Sequence, residues 1–141
     1  MFDLQALAFA ADLTRVSTFK LSHDVSNKEA PAQIAQFAKL NRYHVSLVPY
    51  FLEKLKRTPD GDGSLLGHSL ILYASLMGDS ETHNHRRVPL FLAGGAGGQL
   101  KGNLHRVCPT GTPQANVLLT ILRKLGVPRD SLGDSTGEVA I

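Results

Sequence analysis

Four side chains able to ligate a divalent metal fall within seven residues of this sequence: Asp79, Glu81, His83 and His85, in Leu76-Met77-Gly78-Asp79-Ser80-Glu81-Thr82-His83-Asn84-His85. Carboxylate and imidazole are the donors that zinc and similar ions take. A His-x-His pair in extended backbone sends both rings to one side, so that His83 and His85 can share one metal. The stretch follows the apolar run Ser69 to Met77, and strand ends are where open α/β sheets place their ligand sites. The competing reading is a polar surface loop whose histidines bind nothing, because the spacing fixes no third and fourth ligand.

Charge extends the argument to an anion. Between Glu81 and Asp130 there is no acidic residue, whereas Arg86, Arg87, Lys101, Arg106, Arg123, Lys124 and Arg129 are basic. Loops converging in this half would favour a phosphate or sulfate ester, with Arg86 and Arg87 as the anion-binding pair; the alternative is solvated side chains on scattered faces. His105, beside Arg106, either adds a further donor or stands alone on the surface. The run Gly94-Gly95-Ala96-Gly97-Gly98 is neither a Walker loop nor a G-x-G-x-x-G fingerprint, and reads as a flexible strand-to-loop connection. Thr58-Pro59-Asp60-Gly61-Asp62-Gly63-Ser64 spaces its Asp residues like a calcium loop but lacks the later ligands and the closing Glu, so it reads as a turn. Cys108 is the only cysteine and has no base beside it in sequence, which excludes an intrachain disulfide and argues against a catalytic thiol. His44 reads as a core histidine, and His68 carries no signal.

The elements that must position these groups are those of an ordinary domain. The 141 residues, 43% hydrophobic and 19% charged, fit one domain spanning 1–141, and a net charge of +3 is too mild to argue for a nucleic-acid partner. No apolar run reaches the roughly 18 residues of a membrane span. Met1 to Leu7 lacks the pattern of a secretory signal. Apolar spacing predicts helices over 2–12, 32–56 and 113–125, with Pro49 kinking the second near Val45 or Ser46 or dividing it in two. Thr112 is the predicted N-cap of the third, Pro113 its first residue, and Gly126 and Pro128 stop it. Strands are predicted over 15–21, 69–77 and 88–93, with an edge strand in the tail from 134 to 141. The last two internal runs are continuously apolar, as in strands covered on both faces. The expected architecture is α/β: a partial three-layer sandwich, its short, mostly parallel sheet flanked by helices.

Several stretches together resemble the C-terminal part of the DUF1552 family, also called the HXXSHH proteins. They are Leu13-Thr14-Arg15-Val16-Ser17-Thr18-Phe19, Tyr50-Phe51-Leu52-Glu53-Lys54-Leu55-Lys56 with the turn cluster and Leu65-Leu66, Leu92-Ala93-Gly94-Gly95 with Gly97-Gly98-Gln99-Leu100-Lys101-Gly102, Gly111-Thr112-Pro113 with Leu118-Leu119-Thr120, Lys124-Leu125-Gly126-Val127, and Gly133-Asp134-Ser135-Thr136-Gly137. The resemblance covers nearly the whole chain and implies the last part of a longer family pattern. It also implies a bacterial and often exported protein. The strand, Asp/His loop and Val-Pro-Leu strand of that family look similar to the alkaline phosphatase and sulfatase superfamily, in which an Asp-His pair binds a metal beside the hydrolysed ester. Asp79 matches that Asp, Ser80 stands where the His would be, and His83 and His85 match the family's own His-x-His. The eponymous motif is not intact: Phe19-Lys20-Leu21-Ser22-His23-Asp24 retains only Ser22 and His23, or the motif is deleted between Asn27 and Pro31.

The expectation is therefore a divalent-metal site (zinc, manganese or calcium) on Asp79, His83 and His85, contributed to a hydrolase of phosphate or sulfate esters. Its rival is a non-catalytic scaffold or binding fragment that self-associates through an exposed sheet edge.

Overall fold

The computed structural model describes residues 1–21, 31–79 and 82–141. Ser22, His23, Asp24, the stretch 27–30, Ser80 and Glu81, which entered the motif and ligand readings, lie outside the described residues. Helix α1 is Phe2–Ala10 and helix α2 Pro31–Arg57; a hairpin of β1 (Pro59–Asp60) and β2 (Gly63–Ser64) leads into the single turn α3 (Leu65–His68). A second hairpin, β3 (Ile71–Ala74) and β4 (Leu90–Ala93), is followed by a 3-10 turn at Ala96–Gly98 and by α4 (Ala115–Lys124).

The core lies where α1, the C-terminal half of α2 and α3 meet. Ala6, Phe51, Leu55 and Leu65 are buried together there, with Phe2, Phe9, Leu66 and Ile71 packed against them. Phe2 stacks on Phe51 at a ring separation of 4.8 Å. Outside this apolar contact, Tyr50 donates to Asp3 at 2.7 Å and Lys54 donates to the same carboxylate oxygen. Both donors lie on α2 and the acceptor on α1, so the polar and apolar contacts fix one docking angle. Helix α2 ends in Lys54, Lys56 and Arg57, cations placed against the negative end of its dipole. It runs as one helix with Pro49 inside, so the division into two does not occur.

The turn cluster after α2 forms the β1–β2 hairpin, with Gly61 at φ +55° in its two-residue loop. Ser64 then caps α3 by accepting from the Gly67 amide at 3.2 Å. The glycine run packs its backbone directly on α3. Gly95 donates to the Leu66 carbonyl at 3.0 Å and Ala96 to Ser69 at 2.9 Å. A Cβ at Gly95 would sit 2.4 Å from the Gly67 carbonyl oxygen. Close approach, rather than flexibility, is what the first two glycines of the run provide.

Helix α4 starts later than the sequence predicts. Thr112 donates its hydroxyl to the Pro109 carbonyl at 2.8 Å, closing a turn, and Gln114 stands at the N-cap with no side-chain cap. The predicted stop holds. Gly126, at φ +78°, donates to Arg123 and Val127 to Leu122, the paired bonds of a Schellman ending.

The chain is mixed α/β, but the mostly parallel sheet and the three-layer sandwich do not form among the described residues; both sheets are two-stranded and antiparallel. A parallel pair needs a crossover of a dozen or more residues, usually helical, and the described residues between 75 and 89 contain no helix. They fold back instead, so Ile71 pairs with Ala93 and Ala74 with Leu90. The strand predicted over 15–21 does not form a ladder among the described residues, and Val16 is 80% exposed. Side chains tether this segment instead: Gln5 donates to Ser17 at 2.8 Å and Arg15 pairs with Asp12. No strand forms over 134–141 either. The tail lies along α4, where Asn116 accepts from the Thr136 amide at 2.8 Å and Thr120 from the Val139 amide at 3.0 Å.

Candidate functional site

The residues singled out by type and spacing sit in the connection between β3 and β4. At its base Ser75 donates to the Pro89 carbonyl at 3.1 Å, continuing the hairpin by one rung. Further out the two arms meet again. Asn84 donates to the Asp79 carbonyl at 2.9 Å, and its own carbonyl accepts from Gly78 at 2.9 Å and Asp79 at 3.4 Å. Glycine is required at this neck, because a Cβ on Gly78 would lie 1.9 Å from the Arg86 carbonyl oxygen.

On the returning arm the backbone is held in unusual conformations. His83 has φ +50° and Arg87 φ +52°, values that bulky side chains adopt only when the surroundings hold them there. The Asn84 side-chain oxygen accepts from the Arg86 amide at 2.7 Å, closing an Asx turn across His85. The His85 ring is fixed as well: Nδ1 lies 2.9 Å from the Leu76 carbonyl oxygen. A carbonyl oxygen only accepts, so Nδ1 carries the proton, and in the neutral ring Nε2 keeps its lone pair. Metal-binding imidazoles carry this arrangement, with the second nitrogen donated to a backbone carbonyl.

Asp79, His83 and His85 thus share one short loop, and all three are exposed. The described residues hold no group of three or more His, Cys, Asp or Glu side chains that could surround a metal. The structure therefore does not gather Asp79, His83 and His85 into a three-donor cluster, nor does His105 complete one. His105 lies exposed within 101–110, a stretch with almost no regular structure. Arg86 and Arg87 are exposed at the far side of the turn. Two of the other basic residues are engaged elsewhere: Arg123 pairs with Glu138 and donates to the Arg129 carbonyl at 2.9 Å, and Lys124 donates to the Gln99 carbonyl at 3.0 Å. An open depression of about 410 Å³ past the end of α4 is lined by Arg123, Gly126, Pro128, Arg129 and Asp130.

Sequence reasoning missed two side chains. Asn84 stood between the histidines without attracting notice, although Asn followed two residues later by a free amide is an Asx-turn signal. His68 proves to be the centre of the Asp-rich turn. Its Nδ1 lies 2.8 Å from Asp60 and its Nε2 3.4 Å from Asp62, so the two carboxylates with calcium-like spacing face an imidazole. His44 is half-buried, its ring 6.0 Å from that of Tyr43. Cys108 is exposed and free. No helix among the described residues is long and apolar enough to cross a membrane. No family model, no curated protein and no solved structure matches the chain.

Proposed function

We propose that the loop from Asp79 to His85 contributes ligands to a divalent-metal site serving the hydrolysis of phosphate or sulfate esters. The observation that carries this reading is the His85 ring, whose Nδ1 is committed to the Leu76 carbonyl at 2.9 Å, leaving Nε2 as the ligating nitrogen. Two imidazoles and a carboxylate suit zinc or manganese better than calcium, which prefers oxygen donors. The loop fits part of a coordination shell, and the reading requires ligands beyond Asp79, His83 and His85.

The resemblance to the DUF1552 family supports the same reading, since Asp79, His83 and His85 match its Asp and His-x-His positions. It also makes a bacterial, exported setting part of the proposal. A bound divalent ion would polarise the ester oxygen or lower the pKa of a bound water. Arg86 and Arg87 follow the ligands directly and would hold the anionic group of a small ester.

The test is metal content by elemental analysis after incubation with zinc or manganese, comparing the parent chain with the His83→Ala plus His85→Ala variant. Metal approaching one equivalent in the parent and lost in the variant is the expected result. A parent chain that retains no metal overturns the reading.

A second reading, a non-catalytic scaffold that docks through its sheet, is favoured by one observation. All eight residues of β3 and β4 are apolar, so both faces of this two-stranded sheet are apolar, and among the described residues each strand has an unpaired edge. Such edges add strands from other chains. Under this reading the partner is a second copy of the chain.

A further inference from the structure

We propose that Asn84 is the positioning residue of the metal loop, an assignment that rests on the metal reading above and adds what makes that loop a preset ligand. Asn84 uses three groups at once. Its backbone N–H and C=O bridge the neck to Asp79 and Gly78, and its side-chain oxygen accepts from the Arg86 amide at 2.7 Å. The side-chain bond spans His85, so the histidine sits at the apex of a closed turn.

That closure has a consequence for the ring. His85 reaches back nine residues to the Leu76 carbonyl, and it can do so only while residues 84–86 hold their turn and the neck keeps the two arms in register. Without the Asn84 side chain the Arg86 amide loses its partner, and the backbone around an exposed histidine gains conformational freedom. The Nδ1 contact and the tautomer it selects should then be lost for part of the population. A ligand that must be ordered on binding binds more weakly than one already ordered. Removing a partner that orients a ligating histidine lowers metal affinity about tenfold to a hundredfold.

Asn84→Ala removes the acceptor, whereas Asn84→Ser keeps a hydroxyl oxygen that can close the same kind of turn. Neither touches the core around Phe51 and Leu55, so the comparison does not depend on global stability. Two measurements are made on the full chain: zinc affinity by titration calorimetry, and, without metal, the ring-nitrogen correlations of His85 by NMR at about pH 8, where ordinary imidazoles are neutral. The expected result is a loss of about tenfold or more in zinc affinity for Asn84→Ala with recovery in Asn84→Ser. The metal-free NMR pattern should move from Nδ1-protonated to mixed in the Ala variant alone. If Asn84→Ala binds zinc as the parent does and leaves the ring pattern unchanged, while His83→Ala plus His85→Ala loses zinc, the Asn84 assignment fails and the metal reading stands. If the double-histidine variant holds zinc as the parent does, the metal reading fails and the assignment falls with it.

Discussion

Single atoms decide several features that composition leaves open. Gly94 and Gly95 illustrate this: a Cβ would lie 2.3 Å from the Ser69 carbonyl oxygen at the first and 2.4 Å from the Gly67 oxygen at the second. Backbone cannot withdraw as a flexible side chain can. Gly95→Ala should therefore lower stability by about 1–3 kcal/mol, the range of overpacked sites, read as a lower midpoint in urea denaturation. Gly98, whose added Cβ would meet nothing within 4 Å, is the control. Its φ of +86° still strains an alanine, so a cost on the order of 1 kcal/mol is expected there. Asp3 makes a second case. The Lys54 ammonium, and then the Tyr50 hydroxyl, donate to its carboxylate and hold its pKa below the ordinary 3.8. A lowered folded-state pKa stabilises the fold above the unfolded value, and that contribution is lost as pH falls through the folded one. Asp3→Asn should thus flatten the dependence of Tm on pH below about pH 4, with little change in its slope near neutrality. An unchanged acid limb would show that the α1–α2 contact is carried by Phe2 and Phe51 alone.

Elements were legible where the pattern is local. Helix α2 shows an apolar residue every three or four positions, and the periodicity carries through Pro49, whose missing N–H removes one bond from a helix of 27 residues. Packing by Val48, Phe51 and Leu55, all buried around that proline, outweighs the lost bond. Pro49 is exposed, so Pro49→Ala should restore the bond without disturbing the core and raise stability by up to about 3 kcal/mol, visible as a higher Tm. Strands were legible as apolar runs and illegible as pairs. Residues 15–21 have the composition of a strand, yet Val16 joins no ladder among the described residues, because β propensity describes fit to a neighbouring strand and not to the segment alone. For β3 and β4 the direction of pairing depends on residues 75–89, where the bridge of Asp79 to Asn84 reverses the chain. The metal-ligand candidates were legible as residue types in one stretch. Their staple was not, because Asn84 acts through backbone bonds that any residue type could make and one side-chain turn.

At the scale of the molecule, the accessible surface of 10209 Å² exceeds by roughly 3,000 Å² that of a compact monomer of this mass. The excess shows in large apolar side chains left in water: Leu13, Leu76 and Val107 are exposed, and so, in part, are Leu72 and Phe91 on the hairpin. Tyr73 stacks on Phe91 at 5.0 Å on one face of that hairpin, while Leu72 pairs with Leu92 on the other. A two-stranded sheet alone is marginal in water, and this one offers apolar surface on both sides. Under the scaffold reading the chain should associate as concentration rises, and Phe91→Lys should return it to monomer, as measured by light scattering on a sizing column. A parent chain that remains monomeric at high concentration would exclude self-docking through this sheet.

The sequence by itself determined helices α1, α2 and α4, the stop of α4 at Gly126, the turn after Arg57 and the clustering of Asp79, His83 and His85 in one stretch, because each depends on neighbours within a few residues. Only the tertiary structure decided that β3 and β4 run antiparallel, that Gly95 lies against α3, that Asp60 and Asp62 face His68, and that the His85 ring is pinned through Nδ1 to the Leu76 carbonyl. Those outcomes hinge on which atoms of separate turns and strands come within van der Waals or hydrogen-bond reach, a property of the folded path that residue order does not display.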